Sequence, residues 1–284
     1  MIKLFVMIKS ATGLKAKVRN ISKGDSKTAQ AMTRIFFMER FLERISLSKY
    51  KDQFVLKGGM LVSSLIGINL RTTMDIDTTV KALPLSKEEL KRILLEICEI
   101  QLEDNISFQI VNMETIMDEF DYPGIRIYME GFLEKLKQPI KIDVSTDDVI
   151  TPGAIEYKYP LLFEERDIYL NTYNIETLLA EKTQTIISRG LANTRMRDFY
   201  DLYEIAQKLE FSWDTYQQAF ASTCKKRETI FSKEKVDTEL KNLSESIEME
   251  KMWNQFKNKN CFVENIQYCE VIKTISTLIL KIYS

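Results

Sequence analysis

The sequence predicts an α+β protein in two parts, a sheet with flanking helices followed by a helical domain. Up to about residue 150, segments with apolar residues at helical spacing alternate with short segments rich in β-branched residues. After "TPGA" at 151–154 the helical spacing continues without further strand patterns. We therefore expect a first domain at 1–155, which includes a basic N-terminal helical segment, and a second domain at 156–284.

The first domain contains three predicted helices and five predicted strands. Ser86 is followed three residues later by Glu89, which is a capping box for the third helix. The strands are predicted from period-two alternation and β-branched content. The expected helices are 27–46, 60–67 and 87–100, and the expected strands are 54–57, 74–80, 106–114, 124–131 and 139–146.

The second domain begins with two well-defined helical patterns, at 175–190 and 194–209. Gly190 is placed to end the first of these helices, because glycine readily adopts the left-handed conformation found after a helix. The remainder, to residue 284, is expected to be mostly helical.

Composition excludes several classes of function. The chain of 284 residues has no histidine, so Ser-His-Asp and Cys-His catalysis and the usual zinc sites are excluded. The four cysteines form no CxxC motif, which favours reduced thiols in a cytoplasmic protein. No apolar stretch approaches the roughly 18 residues typical of a membrane span.

Charge is unevenly distributed along the chain. Residues 1–51 hold twelve Lys/Arg and three acids, a net charge of +9, while residues 93–125 hold eight acids and no Lys/Arg. One interpretation is a face for a polyanion and another face for a basic partner. The alternative is two ordinary solvated helix faces.

The stretch "RTTMDIDTTV" at 71–80 contains the first candidate functional residues. Aspartate is a poor strand former, yet Asp75 and Asp77 lie in a segment that otherwise suits a strand. A strand alternates faces with period two, so both carboxylates point the same way. At about 4 Å they repel by roughly 4 kcal/mol at an effective dielectric near 20. Solvent or a bound cation must offset this repulsion.

Two further features complete the pattern. Gly58 and Gly59 lie between a predicted strand and a predicted helix, where backbone N–H groups can bind an anion; a plain turn is the alternative. Asp143 alternates with Ile142 and Val144, which places it on the non-core face of a strand, where it could simply be exposed. Together, the glycine turn and three carboxylates are typical of two-metal nucleotidyltransferases, in which one ion organises the triphosphate and the other activates the attacking hydroxyl.

At these residues the chain resembles the AbiEii/AbiGii toxin family, nucleotidyltransferases with a polymerase-β-like fold from type IV toxin–antitoxin pairs. The resemblance covers about residues 50–210 and rests on "KGG…RTTMDID" and "EKTQTI…RMRDFYDLYE". Met60 is a departure, since members commonly have Ser or Thr after the glycines. The family residues matched here are Gly58, Gly59, Asp75, Asp77, Lys182, Asp198 and Asp201.

The resemblance implies roles for residues in both domains, so that the second domain completes the active site. Asp75, Asp77 and Asp143 would bind Mg²⁺ and act in catalysis. Gly58, Gly59 and Lys182 would bind the nucleotide, with Lys182 and Asp198 also catalytic. Arg71 could reach a phosphate or pair with an acid. A plain interhelical salt bridge is the alternative for Lys182 and Asp198.

The expected function is therefore a Mg²⁺-dependent toxin that transfers a nucleoside monophosphate from a nucleoside triphosphate to an acceptor hydroxyl. The resemblance implies RNA, specifically tRNA, as the acceptor. It also implies growth arrest in abortive infection and phage defence, and a winged-helix antitoxin as partner. Two alternatives remain: a catalytically silent nucleotide-sensing or interaction module, and an enzyme that modifies a protein or small-molecule hydroxyl.

Overall fold

The computed structural model describes residues 7–67, 73–81, 86–116, 124–146, 148–263 and 265–283. The chain forms two compact units, which we describe separately. The first comprises the described residues of Met1–Ile68, Thr72–Asp148 and Ile155–Thr172, and the second those of Val149–Ala154 and Tyr173–Ser284.

The first unit contains the sheet and the helices that flank it. Its described helices are α1 Ala11–Ser22, α2 Ser26–Leu47, α3 Gly58–Ile66 and α4 Lys87–Cys98. Its described strands are β1 Phe54–Lys57, β2 Ile76–Val80, β3 Ile106–Ile116, β4 Gly124–Leu133, β5 Leu136–Thr146, β6 Ile155–Pro160 and β7 Asp167–Thr172.

The seven strands form one mixed sheet in the order β3-β4-β5-β2-β1-β7-β6. The pairs β2–β5 and β1–β7 are parallel, and the other neighbours are antiparallel. The predicted α+β class with a mixed sheet is confirmed. The strands β6 and β7 were not predicted, and through them the sheet extends past the expected boundary near residue 155 to Thr172. These strands follow "TPGA", a turn sequence that resembled the end of the domain.

The long helix α2 supplies much of the core of the first unit. Phe36 and Phe37 meet edge to edge, and Phe41 packs edge to edge against Phe108 of β3. On the same helix, Arg44 is buried and forms a bidentate pair with the fully buried Asp104, at 2.9 and 3.0 Å. A buried charge needs such a partner. Part of the basic charge of residues 1–51 therefore belongs to the core.

Described residues of the basic segment 1–51 and of the acidic segment 93–125 contact each other. Besides the buried Arg44–Asp104 pair, Lys49 contacts Glu96 and Lys9 contacts Glu103, each at 2.8 Å. At these pairs the charges of the two segments compensate each other, so they are not available to separate partners. Sequence spacing alone could not show that the two segments meet.

The second unit is built from six described helices. They are α5 Ile175–Arg189, α6 Met196–Lys208, α7 Trp213–Lys226, α8 Lys233–Glu245, α9 Ile247–Lys259 and α10 Tyr268–Leu280. Short 3₁₀ turns lie at Gly190–Ala192, Cys261–Val263 and Lys281–Tyr283. Gly190 ends α5 with a φ of +48°, as expected for the residue that terminates this helix. No helix of the described residues is long and apolar enough to cross a membrane.

Candidate active site

Asp75, Asp77 and Asp143 come together at the sheet, with Asp75 in the bend just before β2, which begins at Ile76 rather than at residue 74 as expected. Asp77 of β2 is the register partner of Asp143 on the neighbouring parallel strand β5, which places their side chains side by side. One carboxylate oxygen from each of the three residues lies within 4.8 Å of the others, and all three residues are half-buried. Among the described residues this is the one cluster of three or more potential metal ligands.

The glycine turn between β1 and α3 is built against this cluster. Gly59 N–H donates to Asp77 Oδ2 at 3.0 Å. Gly58 has a φ of +59°, and a Cβ at this position would lie 2.6 Å from Asp77 Cγ. Only glycine both accepts this backbone conformation and leaves room for the carboxylate. The structure thus explains why the glycine pair and the aspartate pair occur together in the sequence.

Met60, which replaces the hydroxyl residue common in the family, is buried with 1% of its surface exposed. Its side chain therefore packs in the core. At the start of α3 the Gly59 N–H is bonded to the Asp77 carboxylate, so an anion would have to bind the other N–H groups of the first turn.

Basic side chains that the sequence analysis missed surround the carboxylates. Lys141 Nζ lies 2.7 Å from Asp75 Oδ2. Arg126 donates from Nε and Nη2 to the two oxygens of Asp143, both at 2.8 Å. The period-two alternation of β5 could have placed Lys141 on the same face as Asp143. Arg126 depends on the β4–β5 register, in which it is the partner of Asp143, and no local pattern reports that register.

A further ion pair lies beside the glycine turn. Lys57, the last residue of β1, is the register partner of Asp77 and contacts Asp148. Ser145 Oγ also donates to Asp148 Oδ2, at 2.7 Å. One row of register partners thus crosses the strands β1, β2, β5 and β4, with a cation at each end. Its members in this order are Lys57, Asp77, Asp143 and Arg126.

The electrostatics of the row single out Asp77. Burial, followed by the charges of Asp75 and Asp143, raises the pKa of this carboxyl group to about 6, against the opposing effects of Gly59 N–H and Lys57. A carboxylate with a raised pKa is one that lacks full compensation for its charge. The cluster offers oxygen ligands only, the type that Mg²⁺ and other hard divalent ions prefer. The residues present therefore fit a divalent metal site.

In the second unit, Lys182 lies between two buried aspartates. Its Nζ is 2.7 Å from Asp198 Oδ1 and 2.8 Å from Asp201 Oδ2, and Arg195 Nε lies 3.0 Å from Asp198 Oδ2. Because Asp198 and Asp201 expose 5% and 0% of their surface, the ammonium group is held by two desolvated partners. This geometry fixes the position of Lys182, and its role in the reaction stays a prediction. Arg71 lies outside the described residues.

Comparison with known proteins decides the family. Residues 40–265 match the family described as nucleotidyl transferase AbiEii toxin of type IV toxin–antitoxin systems. The chain belongs to this family. It is accordingly a nucleotidyltransferase of the toxin–antitoxin type, which implies a nucleotide substrate and an antitoxin partner. No curated protein matches the chain.

Three solved structures resemble the chain, and the first of them supports the fold. The crystal structure of JHP933 from Helicobacter pylori is 14% identical, with a TM-score of 0.50, and the alignment covers 89% of this chain and 92% of that one. A second H. pylori structure, described as a candidate nucleotidyltransferase, is 16% identical with a TM-score of 0.49, covering 89% and 95%. An antigenic nucleotidyltransferase-like protein from Paracoccidioides brasiliensis is 14% identical with a TM-score of 0.39, covering 86% and 92%. At such identities the likeness to JHP933 concerns the fold alone.

Proposed function

We propose that this AbiEii-family member is a Mg²⁺-dependent enzyme that transfers a nucleoside monophosphate from a nucleoside triphosphate to a hydroxyl of RNA, specifically tRNA. The acceptor oxygen attacks the α-phosphorus, the bond to the β-phosphate oxygen breaks, and pyrophosphate leaves. Bound Mg²⁺ would supply charge neutralisation at the phosphates and activation of the hydroxyl. Asp75, Asp77 and Asp143 would hold it, and Asp143 would assist removal of the acceptor proton.

The observation that carries this proposal is the position of the three carboxylates beside the Gly58–Gly59 turn. Their oxygens lie within 4.8 Å of one another, and Asp77 is bonded to the backbone of the turn itself. Oxygens that would bind the metal thus lie next to the backbone turn whose remaining N–H groups would bind phosphate. That juxtaposition is what transfer from a metal-bound triphosphate requires.

The proposed nucleotide-binding role of Lys182, and the catalytic role of Asp198, rest on the family motif and on their pairing in the second unit. Lysine binds phosphate as a compact point charge, and a carboxylate partner would keep its ammonium group in place. Arg71 keeps its proposed role as a phosphate ligand only on its place in the sequence just before Asp75 and Asp77.

RNA as the acceptor is supported by the basic helix α1. Lys15, Lys17 and Arg19 are all exposed, and Lys17 Nζ also donates to the carbonyl of Phe163 at 2.7 Å, which orders this lysine. Lys15 and Arg19 lie one turn apart on one face of the helix, where exposed cations are suited to a phosphate backbone, and Lys17 lies on another face. Growth arrest in abortive infection and control by a winged-helix antitoxin complete the proposal, on the strength of the family.

The reaction is tested by incubating the protein with each α-labelled nucleoside triphosphate, Mg²⁺ and either total RNA or total protein. We expect label in the RNA fraction, released pyrophosphate, and loss of both with EDTA. Asp77→Asn is the matched inactive variant, and Asp237→Asn, an exposed residue of α8, is the control for loss of one negative charge. Label only in the protein fraction would overturn the RNA acceptor, and no transfer with any of the triphosphates would overturn the reaction.

The RNA face is tested by replacing Lys15, Lys17 and Arg19 with glutamine. Each lost phosphate contact should reduce the slope of log affinity against log salt by roughly 0.7–0.9. Nucleotide affinity should not change. An unchanged salt slope would remove α1 from the RNA-binding surface.

The cellular part of the proposal is tested by induced expression. Wild-type protein should arrest growth and Asp77→Asn should not, while co-expression of a winged-helix protein encoded beside it should restore growth. Arrest by the Asp77→Asn variant would show that toxicity does not depend on transfer.

A further inference from the structure

Two of the three clustered carboxylates have a cation of their own within the sheet. Arg126 occupies both oxygens of Asp143 through a bidentate contact, at 2.8 Å each. Lys141 occupies Asp75 Oδ2 at 2.7 Å. The four side chains expose between 18% and 30% of their surface, so solvent screens these pairs only in part.

These cations change what the cluster attracts. Three carboxylates alone would carry a formal charge of −3 and would attract a free divalent ion strongly. With Arg126 and Lys141 in contact, the formal charge of the group is −1. A divalent ion that enters alone therefore meets two resident positive charges, and at Asp143 it must compete with a bidentate guanidinium for the same oxygens.

A nucleoside triphosphate removes this obstacle. It brings roughly four negative charges, which compensate both the ion and the resident cations. Magnesium in proteins is usually bound through one or two carboxylates together with substrate phosphates rather than by an all-protein cage. One divalent ion would change the formal charge of the group from −1 to +1, so the negative charge of the triphosphate is what compensates the ion once it is in place.

We propose that Arg126 and Lys141 are counter-cations that prevent the cluster from binding a free divalent ion and make it accept the ion together with nucleotide phosphates. This inference rests on the proposed metal site of the transfer reaction and adds two positioning residues to it. The bidentate contact from Arg126 also holds the Asp143 carboxylate in a fixed orientation before the ion arrives.

The test uses Mn²⁺ as a probe and the nucleotide-free, full-length protein, with free Mn²⁺ measured by electron paramagnetic resonance. Arg126→Gln and Lys141→Gln should each tighten the binding of Mn²⁺ alone by at least about tenfold, equivalent to about 1.4 kcal/mol. Arg126→Lys, which retains the charge, should bind free Mn²⁺ as weakly as wild type. Lys137→Gln is the matched control, because Lys137 lies on the same strand β5 but pairs with Glu130.

Unchanged or weaker binding of free Mn²⁺ in either folded glutamine variant would overturn the proposal, as would tight binding of Mn²⁺ alone by wild type. If Arg126→Gln does not fold, Lys141→Gln decides the question. A separate titration of wild type with Mn²⁺ and each triphosphate distinguishes a failure of the proposed function from a failure of this inference. If no triphosphate promotes Mn²⁺ binding, the proposed function itself fails; if one does while the variants leave free Mn²⁺ binding unchanged, only this inference fails.

Discussion

Replacing Asp77 by asparagine should stabilise the metal-free protein at neutral pH, although it should abolish activity. Burial and the neighbouring carboxylates raise the pKa of Asp77 from 3.8 to about 6 in the folded state. A rise of about two units at ~1.4 kcal/mol per unit means that ionised Asp77 destabilises the fold by up to about 3 kcal/mol. Asparagine retains an oxygen for Gly59 N–H and removes the charge. We expect a gain of about 1–3 kcal/mol in the free energy of unfolding.

The stability difference between Asp77→Asn and wild type should depend on pH. Because the pKa is higher in the folded state, wild-type protein loses stability from this group as pH rises from about 4 to about 6, and the penalty is complete above that range. The advantage of Asp77→Asn should therefore be present at pH 7.5 and absent near pH 4. Transfer activity should fall by at least roughly a hundredfold, the scale for loss of one group that stabilises developing charge.

The assay is urea unfolding in EDTA at both pH values, followed by amide hydrogen exchange of β1 and β2. Both tryptophans, Trp213 and Trp253, lie in the second unit, so their fluorescence provides a separate readout for that unit. Asp237→Asn controls for net charge. Equal or lower stability of Asp77→Asn at pH 7.5, or the same difference at both pH values, would refute the reasoning.

Three further predictions concern other residues. Gly58→Ala should lower the free energy of unfolding by more than about 1–2 kcal/mol and should displace the Asp77 side chain. Gly24→Ala is the control for backbone strain alone, because Gly24 has a φ of +89° and open space around it. Urea unfolding and transfer assays compare the two variants. Lys182→Ala should lower the tryptophan-monitored stability of the second unit by about 3 kcal/mol, because two buried carboxylates lose their shared cation. Lys182→Arg should fold and yet weaken nucleotide use, and full activity would contradict the proposed role. Glu39→Gln should raise the melting temperature more at pH 9 than at pH 5, because burial raises the pKa of Glu39 to about 8; an equal shift at both values would contradict this.

The parts of the site that could be predicted are those encoded by local pattern. A period of two places Asp75 and Asp77 on one face, and a glycine pair between strand and helix signals a turn with accessible N–H groups. Both signals are contained in short stretches of sequence. The hydrogen bond from Gly59 to Asp77 joins these two local features across 18 residues, and their order along the chain made their proximity foreseeable.

The parts that could not be predicted depend on which strands become neighbours. Arg126 reaches Asp143 because β4 pairs with β5 in one particular register, and a shift of one residue would turn the arginine to the other face. The strands β6 and β7 join the sheet through the parallel pairing of β7 with β1, after a turn that resembled a domain end. The pairing of Arg44 with Asp104 likewise joins segments that are 60 residues apart.

Uneven compensation within the cluster adds to the effect of burial, which is the main cause of the raised pKa of Asp77. Among the described residues, Asp143 receives a guanidinium group and Asp75 an ammonium group, whereas the hydrogen bond to Asp77 comes from the neutral backbone of Gly59. A single N–H bond offsets less charge than a cation in contact. The carboxylates of Asp75 and Asp143 are thus paired with cations of the sheet itself. The central carboxylate, which lacks a contacting cation, is the one that gains most when a positive ion arrives with its nucleotide.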